Sequence, residues 1–206
     1  MIRIWGRVNS VNVQKVLWAL AEIDLAYERI DAGLEFGIVD SPAYRTMNPN
    51  ALVPTMDDDG FVLWESNVIV RYLATKYGMG TLCPGEERGR FTAECWMDWQ
   101  QTSLNPAISS VFVNLIRLPP EQRDGSAVAK NCELAERSLA ILDGQLAAGG
   151  HLLGDSFSMA DIPAGASASR WYKLPIERRR HAHVERWLAR LAERPRFRAH
   201  VDRPLS

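Results

Sequence analysis

Paired cysteines, a charge excess of one sign and a long apolar run are all missing from this sequence. The three cysteines, Cys83, Cys95 and Cys132, are an odd number in 206 residues and form no C-x-x-C motif. That argues against a disulfide framework and predicts a reducing, cytoplasmic setting. Lys and Arg number 24 against 25 Asp and Glu, a formal net charge of −1, so no overall charge draws the chain to nucleic acid or to an acidic membrane. No apolar run approaches the roughly 20 residues that span a bilayer, and Arg3 and Arg7 interrupt any apolar leader at the start. Of the four histidines, His181 and His183 lie two apart and the others are isolated. That is poor spacing for one helical face, so no metal site is expected. Fixed-period repeats and low-complexity tracts are absent too.

Apolar residues are plentiful, at 47% of the chain, enough to fill the core of one large domain or two small ones. Charge is unevenly spread: residues 1–77 carry 7 basic and 10 acidic side chains, residues 78–169 carry 6 and 11, and residues 170–206 carry 11 and 4. The basic end includes "ERRRH", which without interleaved aromatics reads as a solvated surface rather than a nucleic-acid reader.

The pattern of elements changes part-way along. "IRIW" followed by Gly6 suits a buried strand and turn, and Val13, Val16, Leu17, Leu20 and Ile23 recur at helical spacing behind Ser10 or Asn12 as a cap. "AYERIDA" is a second strand, the loop "FGIVDSPAYRTMNPN" can hold a helix, and "DDDG" turns between "PTM" and "FVLW". A helix starting at Ser66 carries Val68, Ile69, Tyr72 and Leu73. The first part therefore predicts a small mixed sheet with helices. Glycine, proline and charge in "GMGTLCPGEERGR" mark a domain boundary. Beyond it the periodicity is helical: a long helix over Phe91–Ile116 with a break or bend at Pro106, another through Ala135, Leu139, Leu142 and Leu146, and a last one through Val184, Trp187, Leu188 and Leu191. In "FSMADI", Ser158 as N-cap with Asp161 at N3 predicts a capping box, and Phe157 with Ile162 a hydrophobic staple. The small residues of "PAGASAS" let other helices approach closely.

Three short constellations each admit a structural and a chemical reading. Ser66 reads as a helix N-cap. With Glu65 it could equally hold an α-amino-acid head group, the helix N–H groups and Ser66 taking the carboxylate and Glu65 the ammonium. Val53-Pro54 is a trans proline at the edge of a strand, or a cis bond that turns the Val53 amide outward to pair with an extended peptide. Ser10 is a cap, or it donates to a thiolate at the start of the first helix.

The stretches "NSVNVQKVLWAL", "MNPNALVPTM" and "WESNVIVRYL", followed by "GDSFSMADI", resemble the cytosolic glutathione S-transferases, in particular their serine-type, phi- and theta-like branches. The resemblance implies an α/β plus all-α fold. A thioredoxin-like N-terminal domain (1–77) is joined by a linker (78–87) to an all-helical C-terminal domain (88–206), usually in a homodimer. It implies that Val53, before a cis Pro54, pairs with the cysteinyl backbone of glutathione, with Leu52 beside it, while Glu65 and Ser66 bind the γ-glutamyl group. Ser10 matches the activating serine, and Asn12 could share or take over that role because an amide N–H also donates to sulfur. Glutathione is then the cosubstrate, and its thiolate attacks an electrophilic, apolar second substrate; Trp96, Trp99, Trp171 and Tyr172 read mostly as core, with Trp96 and Trp99 the candidates to line a pocket between domains. Two departures leave the glycyl carboxylate without an evident partner: Leu52 stands where phi-like members often have Gln, and Val39 and Asp40 where they carry basic residues. Lys15 or a distant arginine is a candidate substitute. A glutathione-dependent disulfide reductase or peroxidase, and a non-catalytic protein-binding dimer, are the alternative functions on the same scaffold. Metal, nucleic acid and membrane are not expected as partners.

Overall fold

Alternation in the first strand, with Ile2 and Ile4 buried and Arg3 exposed, starts a four-stranded sheet. The computed structural model describes all 206 residues. Strands β1 (Ile2–Trp5), β2 (Tyr27–Ile30), β3 (Thr55–Asp58) and β4 (Phe61–Trp64) are arranged β2-β1-β3-β4. Helix α1 (Val11–Glu22) makes the crossover between the parallel pair β1 and β2, and β3 runs antiparallel to both β1 and β4. Asp59-Gly60 form the two-residue turn expected of "DDDG", both with positive φ. Burial alone would raise the Asp58 carboxyl at the end of β3. Hydrogen bonds from Lys76 Nζ and the hydroxyls of Tyr72 and Tyr77 outweigh it and hold the group at about 2. These bonds tie the hairpin to helix α3 (Ser66–Tyr77).

The loop after β2 holds a 3₁₀ turn (Leu34–Phe36) and the short helix α2 (Pro42–Met47), capped by the Ser41 hydroxyl accepting from Tyr44 N–H. Everything after α3 is helical, as expected: α4 (Glu87–Trp99), α5 (Asn105–Phe112), α6 (Gly125–Leu146), α7 (Asp161–Lys173), α8 (Ala182–Glu193) and α9 (Pro195–His200). Two details differ from the sequence expectation. The backbone around Pro106 stays helical, because a π turn over Gln100–Leu104 precedes it and widens the ladder that the proline interrupts. The last helix is followed by a further turn and a half, α9, beyond Pro195; proline cannot continue α8 but is suited to the first turn of a new helix.

Helix α7 lies at the centre, against α1, α5 and α8. Its small residues do what was expected of them: a Cβ at Gly165 would stand 2.8 Å from Leu191 Cδ1 and 3.4 Å from the Trp18 ring, so only glycine lets both neighbours in. At its start the Asp161 carboxylate accepts from Ser158 N–H at 3.0 Å, and the Ser158 hydroxyl accepts from Ala160 N–H at 3.3 Å. These bonds shape the turn ahead of the helix rather than the expected box: Ala160, not Ser158, stands at the cap position and Asp161 is the first helical residue. Asp161, fully buried, also accepts from Leu152 N–H and Trp187 Nε1. The "ERRRH" run is less solvated than its composition suggests. Arg178 donates to the carbonyls of Tyr172, Leu174 and Ile176, and buried His181 lies 2.7 Å from Glu136. One apolar cluster of 41 residues runs from Ile2 to Val201 and joins the sheet to the helices. The two halves therefore share a core. No helix is long and apolar enough to cross a membrane.

Candidate functional site

The β3–β4 hairpin explains why a Val-Pro pair and a Glu-Ser pair belong together. Thr55 pairs with Trp64, and Pro54 directly precedes the one while Glu65 directly follows the other, so both pairs leave the same end of the hairpin. The Val53-Pro54 bond is cis. Neither the N–H nor the carbonyl of Val53 is used in a hydrogen bond within the chain, so both can pair with an added strand. The preceding carbonyl is held firmly: Leu52 C=O accepts from Tyr44 Oη at 2.7 Å and from Asn48 Nδ2 at 2.9 Å. Sequence reasoning missed Tyr44 and Asn48 as positioning residues, although "SPAYRTMNPN" carries them both.

Glu65, not Ser66, is the N-cap of α3. Its φ is +69°, its carboxylate makes no capping bond and it is exposed. Ser66 is the first helical residue, buried, and its hydroxyl accepts from Lys15 Nζ at 3.4 Å. The free helix N–H groups and the exposed carboxylate thus sit side by side, as an amino-acid head group requires. Lys15 lies wholly inside, its Nζ also 3.3 Å from Asn67 Oδ1 and 3.4 Å from Gln100 Oε1. Burial pushes its pKa down to about 7, Arg170 adds to that and Glu65 opposes it. Lys15 therefore backs the start of α3 and is too enclosed to meet a carboxylate at the other end of a tripeptide.

Ser10 occupies the N-cap position of α1, yet its hydroxyl makes no capping hydrogen bond. It borders a groove of about 510 Å³ together with Asn12, Leu52 and Val53. Asn12 Oδ1 is buried there without a partner. The rest of the lining comes from Gly33, Leu34, Gly37, Val39 and Asp40 in the loop after β2, from Ala51, and from Arg117 at the end of a π turn that follows α5. Arg7 completes the lining. Sequence reading used Arg7 only to exclude a leader, and Arg117 not at all. A charged residue inside the strand-to-helix loop "WGRVNS" was the available signal for the first; nothing local marks the second. Gly33 has φ +83°, and a Cβ there would come 3.0 Å from an Arg7 guanidinium nitrogen. Trp96 and Trp99 are not brought to the groove. They stack edge-to-face on each other at 5.2 Å on α4 and pack against the large core.

This geometry finds its counterpart in known proteins. The sequence profile described as "Glutathione S-transferase, N-terminal domain" matches residues 1–75, and "Glutathione S-transferase, C-terminal domain" matches residues 104–195. The chain belongs to the glutathione S-transferase family. It is 41% identical to glutathione S-transferase GstB of Escherichia coli K12, over the full length of both chains. Identity to glutathione S-transferase 3 of Zea mays is 29%, over 97% of this chain and 93% of that one. Among solved structures, the theta class glutathione S-transferase of Xanthomonas axonopodis pv. citri with glutathione bound superposes with a TM-score of 0.96 at 41% identity, covering 100% of this chain and 99% of that one. The thioredoxin-like sheet domain and all-helical second half expected from the sequence are thus the family's fold.

Proposed function

We propose that the chain is a glutathione transferase in which Ser10, with Asn12, stabilises the thiolate of glutathione for attack on an electrophile. The tripeptide lies with its cysteinyl backbone on Val53, before Pro54 and beside Leu52, and its γ-glutamyl group on Glu65 and Ser66. The observation that carries this reading is the uncommitted Ser10 hydroxyl: it stands at a helix N-terminus, in the same groove as Val53, and makes no capping bond. The helix dipole and the hydroxyl both favour an anion there. A free thiol has a pKa of ~8.5, and lowering it by about two units makes the thiolate predominant at neutral pH, a differential stabilisation of about 2.7 kcal/mol. In the reaction the thiol proton leaves to solvent, sulfur bonds the electrophilic carbon, and the leaving group departs with its electron pair.

The ultraviolet difference spectrum of bound glutathione, titrated over pH, tests the assignment. A thiolate band that persists below pH ~7 in wild type and shifts upward by about one unit in Ser10→Ala is expected. An unchanged titration in Ser10→Ala moves the role to Asn12 or a backbone N–H. The same reading includes a homodimer in the cytoplasm and a chain divided at 78–87, and sedimentation checks the dimer.

A further inference from the structure

We infer that the groove takes a second substrate bearing an oxyanion, a carboxylate or a group like it, which Arg7 and Arg117 hold while the thiolate attacks its electrophilic centre. This rests on the transferase reading and specifies the substrate that reading left as merely electrophilic.

Arg7 is the decisive residue. Only 8% exposed, it lines the groove, yet its guanidinium makes no hydrogen bond and no ion pair within the chain, and its Nε is sealed from solvent. A guanidinium carries five N–H donors, and leaving a buried one unpaired is strongly unfavourable. A carboxylate of the protein would ordinarily satisfy it. Asp40, which also lines the groove, is instead 2.8 Å from Arg45. Glu35 acts on Arg7 only at longer range, where it opposes the lowering of the Arg7 pKa by burial and by Arg117.

A second arginine repeats the charge in the same groove. Arg117 makes a single long hydrogen bond, 3.4 Å to a main-chain oxygen of Ser206, the last residue of the sequence, and lies 5.0 Å from the Phe112 ring centroid. Arg170 sits over the same ring at 4.1 Å, and neither arginine has an ion-pair partner. Stacking on an aromatic face fixes the guanidinium plane without neutralising it. Two arginines from different halves of the chain therefore line one groove with Ser10 and Asn12, and neither is paired with an Asp or Glu side chain. Planar forks of this kind match a carboxylate.

The test compares two aryl chlorides of different charge, 1-chloro-2,4-dinitrobenzene and 4-chloro-3,5-dinitrobenzoate. In each, glutathione sulfur bonds the ring carbon and chloride leaves with the C–Cl electron pair. The ratio of kcat/KM, carboxylate over neutral, is expected to fall about tenfold in Arg7→Gln and in Arg117→Gln, to recover in part in Arg7→Lys, and to drop with added salt. Arg117 is half-exposed, so its variant keeps the test open should Arg7→Gln fold poorly. A ratio within about twofold of wild type in all variants overturns the inference. So does a rise in the KM for glutathione with the ratio unmoved, which would assign the arginines to the glycyl carboxylate. If wild type turns over neither chloride, the transferase reading fails by itself. Calorimetric binding of the benzoate without glutathione then decides: about tenfold weakening in Arg117→Gln supports the subsite, and equal binding overturns it.

Discussion

Asp161 and Arg7 are both buried charges, and they are treated in opposite ways. Asp161 is 0% exposed and collects donors from Leu152, Ser158 and Trp187. Arg7 is 8% exposed and has no acceptor at all. The first charge closes a network inside the helical half and fixes the start of α7 against α8. The second faces a groove and is left open. A buried ion whose bonds are complete serves the fold, whereas one whose bonds are missing points to something from outside the chain. Lys15 stands between the two cases. It has three acceptors, all at 3.3–3.4 Å and none of them a carboxylate.

The comparison breaks most sharply at Asp161. Asp161→Ala leaves the Leu152 and Ser158 N–H groups and the Trp187 indole N–H unpaired in the core. It is expected to cost about 4 kcal/mol of stability, measured by urea unfolding. A loss below about 1 kcal/mol would mean that the network is incidental.

Lys15 sharpens the middle case through pH. Its folded pKa, about 7, lies below its ordinary value of 10.5. Between those values the unfolded chain binds more protons than the folded one, so stability rises with pH across that window and is flat below it. Lys15→Met is expected to remove this rise and to add about 2 kcal/mol below neutral pH. Because the Ser66 hydroxyl loses its donor, the KM for glutathione should increase a few-fold as well. A pH–stability curve unchanged by the substitution would contradict the assignment.

The smallest effect is expected at Arg7. Arg7→Met removes an unpaired buried charge, so the melting temperature should rise, by the equivalent of about 1 kcal/mol. A clear fall would show that Arg7 holds the groove together and would cancel the contrast with Asp161.

Much of the fold is legible because its signals are local. Alternation in "IRIW", the Asp-Gly turn and the apolar spacing of α1, α3, α6 and α8 each involve residues within a few positions of one another. So does the turn before α7, where Ser158 and Asp161 bond each other, although the cap position itself falls on Ala160. The extra partners of Asp161 lie on Leu152 and α8, and no spacing reveals them. Glu65 as cap in place of Ser66 was a one-residue error of the kind that helix ends invite. Trp96 and Trp99 pack against the core, the first of the two readings their size allows.

The sequence by itself determined the order of elements and the division into a sheet half and a helical half, since turn chemistry and periodicity act along the chain. Tertiary structure alone decided that the Ser10 hydroxyl is uncommitted, that Lys15 is enclosed beneath Ser66, and that Arg7 and Arg117 line one groove. Those outcomes depend on which surfaces the shared core brings together, and residues distant in sequence carry no local sign of becoming neighbours.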